Sequence, residues 1–238
     1  MIQPMSEPFV AFGASHLAVM ALTVIVPAGL AIITRRLQSE DFVRAVSFAF
    51  AAGLIATWIV WYWLIAARGW ISAQTLLPMD LCDWATIATL ATLLRPNQRS
   101  YELAYFWALS GTLQALVTPE LYYDFPDLRF IIFFAFHGGT IAAVLFLTLA
   151  RGMRPHRSSL PRVIAWSFLY LVSALAVNRL FGANFGYLSA KPTTPSLLDV
   201  MGPWPLYIAA LAGIGILYVF ALYAPFFVAD RLNRRRTS

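Results

Sequence analysis

The chain has 238 residues, of which 60% are hydrophobic and 12% charged, with a formal net charge of +6. A soluble domain carries roughly 25% charged residues and each of its helices needs a polar face; these apolar runs have none, which sets aside a soluble all-α protein. The positive charge does not point to nucleic acid, because the arginines stand in short clusters between apolar runs, where determinants of membrane topology stand.

Taken from the N-terminus, apolar runs bounded by breakers or charges predict seven membrane-spanning helices at 16–34, 42–67, 76–94, 103–117, 130–150, 163–178 and 204–228. Several reach the ~20 residues that cross a ~30 Å hydrocarbon core, while the fourth is short and stops before Pro119. Helices are expected because a helix satisfies its own backbone hydrogen bonds in lipid. The first 34 residues contain no Lys or Arg, so no cleavable signal peptide with a basic n-region is expected. With no repeat or domain boundary, the expectation is an all-α, multi-pass protein of the plasma (inner) membrane, one seven-helix domain over 1–238.

Lys and Arg alternate in density across these spans. Arg35, Arg36, Arg44, Arg95, Arg99, Arg151, Arg154, Arg157, Arg162, Arg231, Arg234, Arg235 and Arg236 fall on one side; Arg68, Arg129, Arg179 and Lys191 fall on the other. The thirteen-to-four excess marks the first side as cytoplasmic, with the N-terminus outside and the C-terminus inside. The tail 231–236 is expected to touch anionic head groups. The one long loop, 179–203, is external, and a structureless loop of that length is uncommon in a compact domain. Its aromatic, Gly and Pro residues suggest an ordered cap over the mouth of the bundle.

Polar side chains within lipid cost free energy and ask for a reason. His16, Asp80, Cys82, Asp83, Gln114, His137 and Asn178 all fall in the external half of the predicted spans, and no ionisable residue is expected inside the cytoplasmic half. Each has an ordinary explanation. Asp80 and Asp83 follow Pro78 and complement a helix dipole, His16 is interfacial, Gln114 bonds between helices, and Cys82 packs as a small hydrophobe. His137 is hardest to explain so, and Gly138 and Gly139 beside it admit a neighbouring helix closely.

Together Cys82 and His137 offer a chemistry that neither has alone. A thiol near a helix start, with an imidazole to take its proton, attacks carbonyl carbon, and the abundant carbonyls of a leaflet are phospholipid esters. The single cysteine excludes an intramolecular disulfide or a multi-cysteine metal site, and no Walker, Rossmann or HExxH pattern is present. No metal, soluble cofactor or nucleic acid is expected as a partner.

The segments LPMDLCD at 77–83, FHG at 136–138 and NFGYL at 184–188 with Lys191, Asp199 and GPWP at 202–205 resemble the YwaF-like bacterial integral membrane proteins, which are related to the TMEM164 membrane acyltransferases of animals. SHL at 15–17 and LQALVTP at 113–119 extend the resemblance over essentially the whole chain. The resemblance implies a seven-helix enzyme that moves fatty acyl groups between phospholipids and lysophospholipids, with Cys82 as nucleophile and His137 as base. Asp83, Gln114 and Asn184 are candidate orienting or oxyanion groups, Tyr187 and His16 line the same external side, and Lys191 is a candidate for the lipid phosphate. Asp80 stands where the family pattern commonly has a histidine or amide. The rival expectation is a transporter or sensor whose external pocket uses Asp80, Asp83 and His137, with Trp58, Trp61, Tyr62 and Trp63 either lining it or forming an interfacial belt.

Overall fold

The computed structural model describes residues 7–193 and 196–237. Its helices are α1 (Ala14–Leu37), α2 (Glu40–Arg68), α3 (Ala73–Leu76), α4 (Leu81–Leu94), α5 (Gln98–Trp107), a π-helical turn (Ala108–Thr112), α6 (Leu113–Val117), α7 (Leu128–Leu149), α8 (Ser159–Phe181) and α9 (Leu206–Thr237). No named β-strand occurs among the described residues; one isolated bridge joins Pro8 to Tyr123. Six stretches are long and apolar enough to cross a membrane: α1, α2, α3 with α4, α7, α8 and α9. The seventh crossing of the bundle is 98–117, which runs through α5, the π turn and α6 without leaving helical backbone.

Local chemistry sets the helix ends. The Ser39 hydroxyl accepts from the Phe42 amide, Glu40 and Asp41 follow in the first turn of α2, and Gly69 closes that helix in the left-handed region at φ 67°. Asn97 accepts from the Arg99 and Ser100 amides to start α5, and Asp127 does the same for Arg129 at α7. Such caps satisfy amides that a helix start leaves without a partner.

Two predicted spans need correction. The third does not run unbroken from residue 76: the chain opens between α3 and α4, with Leu77 extended at φ −87°, ψ 127°. Pro78 is the cause, since it lacks an N–H and forces the residue before it out of helical geometry. Asp80 becomes the residue before α4, and Cys82 and Asp83 lie in that helix's first turn. The fourth starts at Gln98, earlier than expected, and carries Glu102 into the bundle at 1% exposure. The arginine-bearing half therefore does hold a buried ionisable residue.

The most enclosed helix is α7, with 72% of its apolar window buried against 17–33% for the other five candidates. It packs against α1, α2, α4 and α6, while α8 and α9 lie against α5 and each other. Gly138 lets α1 approach closely, because a Cβ there would sit 2.7 Å from Thr23 Oγ1; the same atom on Gly139 would sit 3.3 Å from Leu54 of α2. The starts of α1, α4, α7 and α9 and the ends of α2, α6 and α8 share one end of the bundle with the 179–203 loop. We term this the cap end and the other the arginine end.

Candidate functional site

The first turn of α4 gathers the polar residues. Cys82 is half-buried, and the Asp83 amide lies within reach of its sulfur. The Asp80 amide donates to Asp83 Oδ2 at 3.0 Å, and the Gly186 amide donates to Asp80 Oδ1 at 2.9 Å. Asp80 thus ties the long loop to the start of α4. The Trp58 indole lies beside the Asp83 carboxylate and meets Phe136 of α7 at 5.8 Å between ring centroids. Of the aromatic group at the end of α2, Trp58 therefore faces the site, while Trp63 is 62% exposed and faces outward.

Across from this turn stands α7. Its Thr140 hydroxyl meets the Thr86 hydroxyl of α4 at 2.8 Å. Both helices start at the cap end, so a step toward either N-terminus is a step toward the cap. Cys82 precedes Thr86 by four residues and His137 precedes Thr140 by three, which keeps each on the contact face of its helix. The two side chains consequently share one level of the α4–α7 contact, one turn above the threonine pair. No hydrogen bond joins the sulfur to the imidazole among the described residues. His137 Nδ1 is 2.9 Å from the Phe133 carbonyl, and since a carbonyl only accepts, Nδ1 carries the proton. Nε2 is left as the nitrogen able to receive one. The ring is stacked on Phe133 at 4.1 Å and edge-on to Phe136 at 5.2 Å, so its plane is fixed.

The loop folds over this region. Buried Asn178 holds Phe185 at both ends: the Phe185 amide donates to Asn178 Oδ1 at 2.8 Å, and Asn178 Nδ2 donates to the Phe185 carbonyl at 3.0 Å. Asn184 Oδ1 accepts from the amides of Ser189 and Ala190, and its own amide donates to Gln74 of α3 at 2.7 Å. The Tyr187 hydroxyl donates to Glu120 at 2.5 Å, the Tyr187 carbonyl accepts from the Tyr207 hydroxyl, and Trp204 donates to the Leu188 carbonyl at 3.1 Å. Burial, then the hydrogen bond to Glu120, pushes the Tyr187 phenol above its usual range. Lys191 sits over the Tyr207 ring at 5.6 Å and pairs with no carboxylate among the described residues. Residues 194 and 195 of this loop, and the side chains of Arg234, Arg235 and Arg236 in the tail, lie outside the described residues.

Not every predicted residue joins the site. His16 is fully buried; its Nε2 donates to the Leu116 carbonyl at 2.8 Å and its Nδ1 accepts from the Phe12 amide at 2.9 Å, which staples α1 to α6. Gln114 is exposed and bonds Thr118 on its own helix at 2.8 Å. The Asn184 side chain closes the loop on itself. A cavity of about 380 Å³ between α1, α2 and α7 is lined by Ala135 and Gly139, which lie on the face of α7 opposite His137; it is an apolar groove rather than the site. Sequence reasoning missed Tyr170 of α8, which is 7% exposed and reaches the first turn of α4. A tyrosine in an apolar run carries no signal by type; its position one α8 face from Asn178 was the available clue.

The model of the TMEM164 family matches residues 11–223. A protein of Treponema pallidum (strain Nichols), described as uncharacterized, is 28% identical over 224 residues, covering 92% of this chain and 90% of that protein. No solved structure matches.

Proposed function

Because the chain belongs to the TMEM164 family, we propose that it is a membrane acyltransferase that moves a fatty acyl group between phospholipid and lysophospholipid through a thioester on Cys82. The observation that carries this reading is the tautomer of His137: Nδ1–H is held by the Phe133 carbonyl, which leaves Nε2 able to take a proton on the helix packed against the one that bears half-buried Cys82. As sulfur attacks the ester carbonyl, the thiol proton passes to Nε2. The tetrahedral intermediate collapses, the C–O bond to glycerol breaks, and the leaving alkoxide takes the proton from His137. The hydroxyl of an incoming lysophospholipid then loses its proton to Nε2, attacks the thioester and expels the sulfur, which regains that proton. Asp83 and Trp58 fix the first turn of α4 from the side of α2. Lys191 on the cap, with no carboxylate partner among the described residues, suits the lipid phosphate.

The charge count supports a cap outside the plasma membrane, and on that orientation the substrate is drawn from the outer leaflet. A reporter active only outside the cytoplasm is expected to work when fused at Ser72 or Ser189 and to fail at Ser158 or Ser238. For the chemistry, intact-protein mass spectrometry after incubation with phospholipid is expected to find an acyl adduct on Cys82 that hydroxylamine removes and that Cys82→Ser lacks. Tight lipid binding without any adduct would favour a transporter or sensor instead.

A further inference from the structure

Tyr170 is buried on α8, its ring edge-on to Trp84 at 5.4 Å. Its hydroxyl has no hydrogen-bond partner among the described residues. Buried hydroxyls are nearly always bonded, so a free one asks what it serves. The oxygen's position is well defined by its neighbours. A Cβ on Gly186 would lie 2.7 Å from it, which puts it directly beneath the cap. The Leu81 amide lies nearby without closing a hydrogen bond, and Asp80, Cys82 and Asp83 are all close enough to act on it electrostatically. Asp80 Oδ1 accepts from Gly186 and Asp83 Oδ2 from the Asp80 amide, and neither carboxylate takes a hydrogen bond from the phenol. A donor is therefore held over the first turn of α4, the turn that carries Cys82, with nothing to donate to.

We propose that the Tyr170 hydroxyl is the oxyanion donor of this site, bonding the carbonyl oxygen of the acyl group as Cys82 adds to its carbon. The assignment rests on the thioester reading above. When the S–C bond forms, the carbonyl π electrons move onto oxygen, and that oxyanion accepts from Tyr170 O–H. When the C–O bond to glycerol breaks, the electrons return to the carbonyl and Tyr170 keeps its proton. A donor aimed where charge develops, and idle in the resting enzyme, is what such stabilisation requires. Gly186 serves the same end, since its missing side chain is the space the hydroxyl occupies.

Tyr170→Phe removes only the oxygen. In single-turnover assays with a fluorescent phospholipid in nanodiscs, thioester formation is expected to fall about 10²–10³-fold, the usual loss for one oxyanion donor. Phospholipid affinity is expected to stay within about twofold and Tm not to fall, because no hydrogen bond is lost. A long-chain aldehyde, whose thiohemiacetal with Cys82 carries the same oxyanion, is expected to bind at least about tenfold more weakly to the variant. A wild-type rate in Tyr170→Phe, with Cys82→Ser inactive, overturns the role of Tyr170 and leaves the thioester standing. A lowered Tm with equal loss of lipid binding overturns it in favour of packing. No thioester in the wild type overturns both.

Discussion

At the arginine end of the bundle, charge closes onto charge. Glu102, 1% exposed, accepts from Arg162 Nε at 3.0 Å and Nη2 at 2.7 Å, and from Gln98 at 3.0 Å. Gln98 also donates to the Arg154 carbonyl, Arg154 pairs with Asp230 at 2.6 Å, and Tyr101 bonds Thr148 and the Met153 carbonyl. At the cap end, the backbone is bound as firmly, through Asn178, Asn184 and Asp80, but Cys82, His137 Nε2 and the Tyr170 hydroxyl make no such closure. Burying a polar group is tolerable when it is bonded, so the network around Glu102 is explained by folding alone, although Thr34 Oγ1 and the Nε atoms of Arg151 and Arg154 at this end have no partner among the described residues. The open groups at the other end are not. On the proposed function, the difference separates residues that hold the bundle from residues poised for a substrate.

The sharpest way to break this contrast is at the open groups. His137→Ala is expected to reduce acyl transfer about 10³-fold or more with Tm near wild type, and adding Cys82→Ser is expected to lower it no further, since both serve one step; additive losses would separate the two residues. At the closed end the effect is reversed. Arg162→Ala leaves Glu102 buried without its partner and is expected to lose about 3–5 kcal/mol of stability, measured by denaturation in micelles, with specific activity of the folded fraction unchanged.

Between these lies the cap. Gly186→Ala places a methyl against the Tyr170 hydroxyl at a backbone φ of 63°, and is expected to cost about 1–3 kcal/mol together with most of the activity. The smallest effect concerns pH. The Tyr187 phenol is raised in the folded cap, so its contribution is fully present below the unfolded value of about 10 and is lost as pH rises through the folded value. Protease resistance of the 179–203 loop is expected to be flat near neutral pH and to decline in strong alkali, and Tyr187→Phe is expected to flatten the alkaline limb.

The apolar runs and arginine clusters made the bundle legible because a bilayer imposes length and composition on each crossing. The same criterion misled at two places. Glu102 looked like a loop residue because the sequence does not show that Arg162, sixty positions later, comes back to neutralise it. The start of α4 looked continuous with residue 76 because hydropathy does not register a missing N–H, although Pro78 announced the break. Within the site, Cys82 and His137 stood out by type. Tyr170 did not, because its meaning lies in an absent hydrogen bond, and absences are visible only in three dimensions.

The break at Pro78 has a consequence for the membrane itself. Of the crossing 73–94, only the fourteen residues of α4 are unbroken helix below the break, about 21 Å of a ~30 Å hydrocarbon layer; opened backbone and α3 make up the rest. Bilayers meet a short apolar wall by thinning beside it. A lipid next to α4 would sink its ester linkage toward the level of Cys82 rather than lift it into water. On the proposed function, the length of one helix would then act as a gauge that selects the acyl bond by its depth.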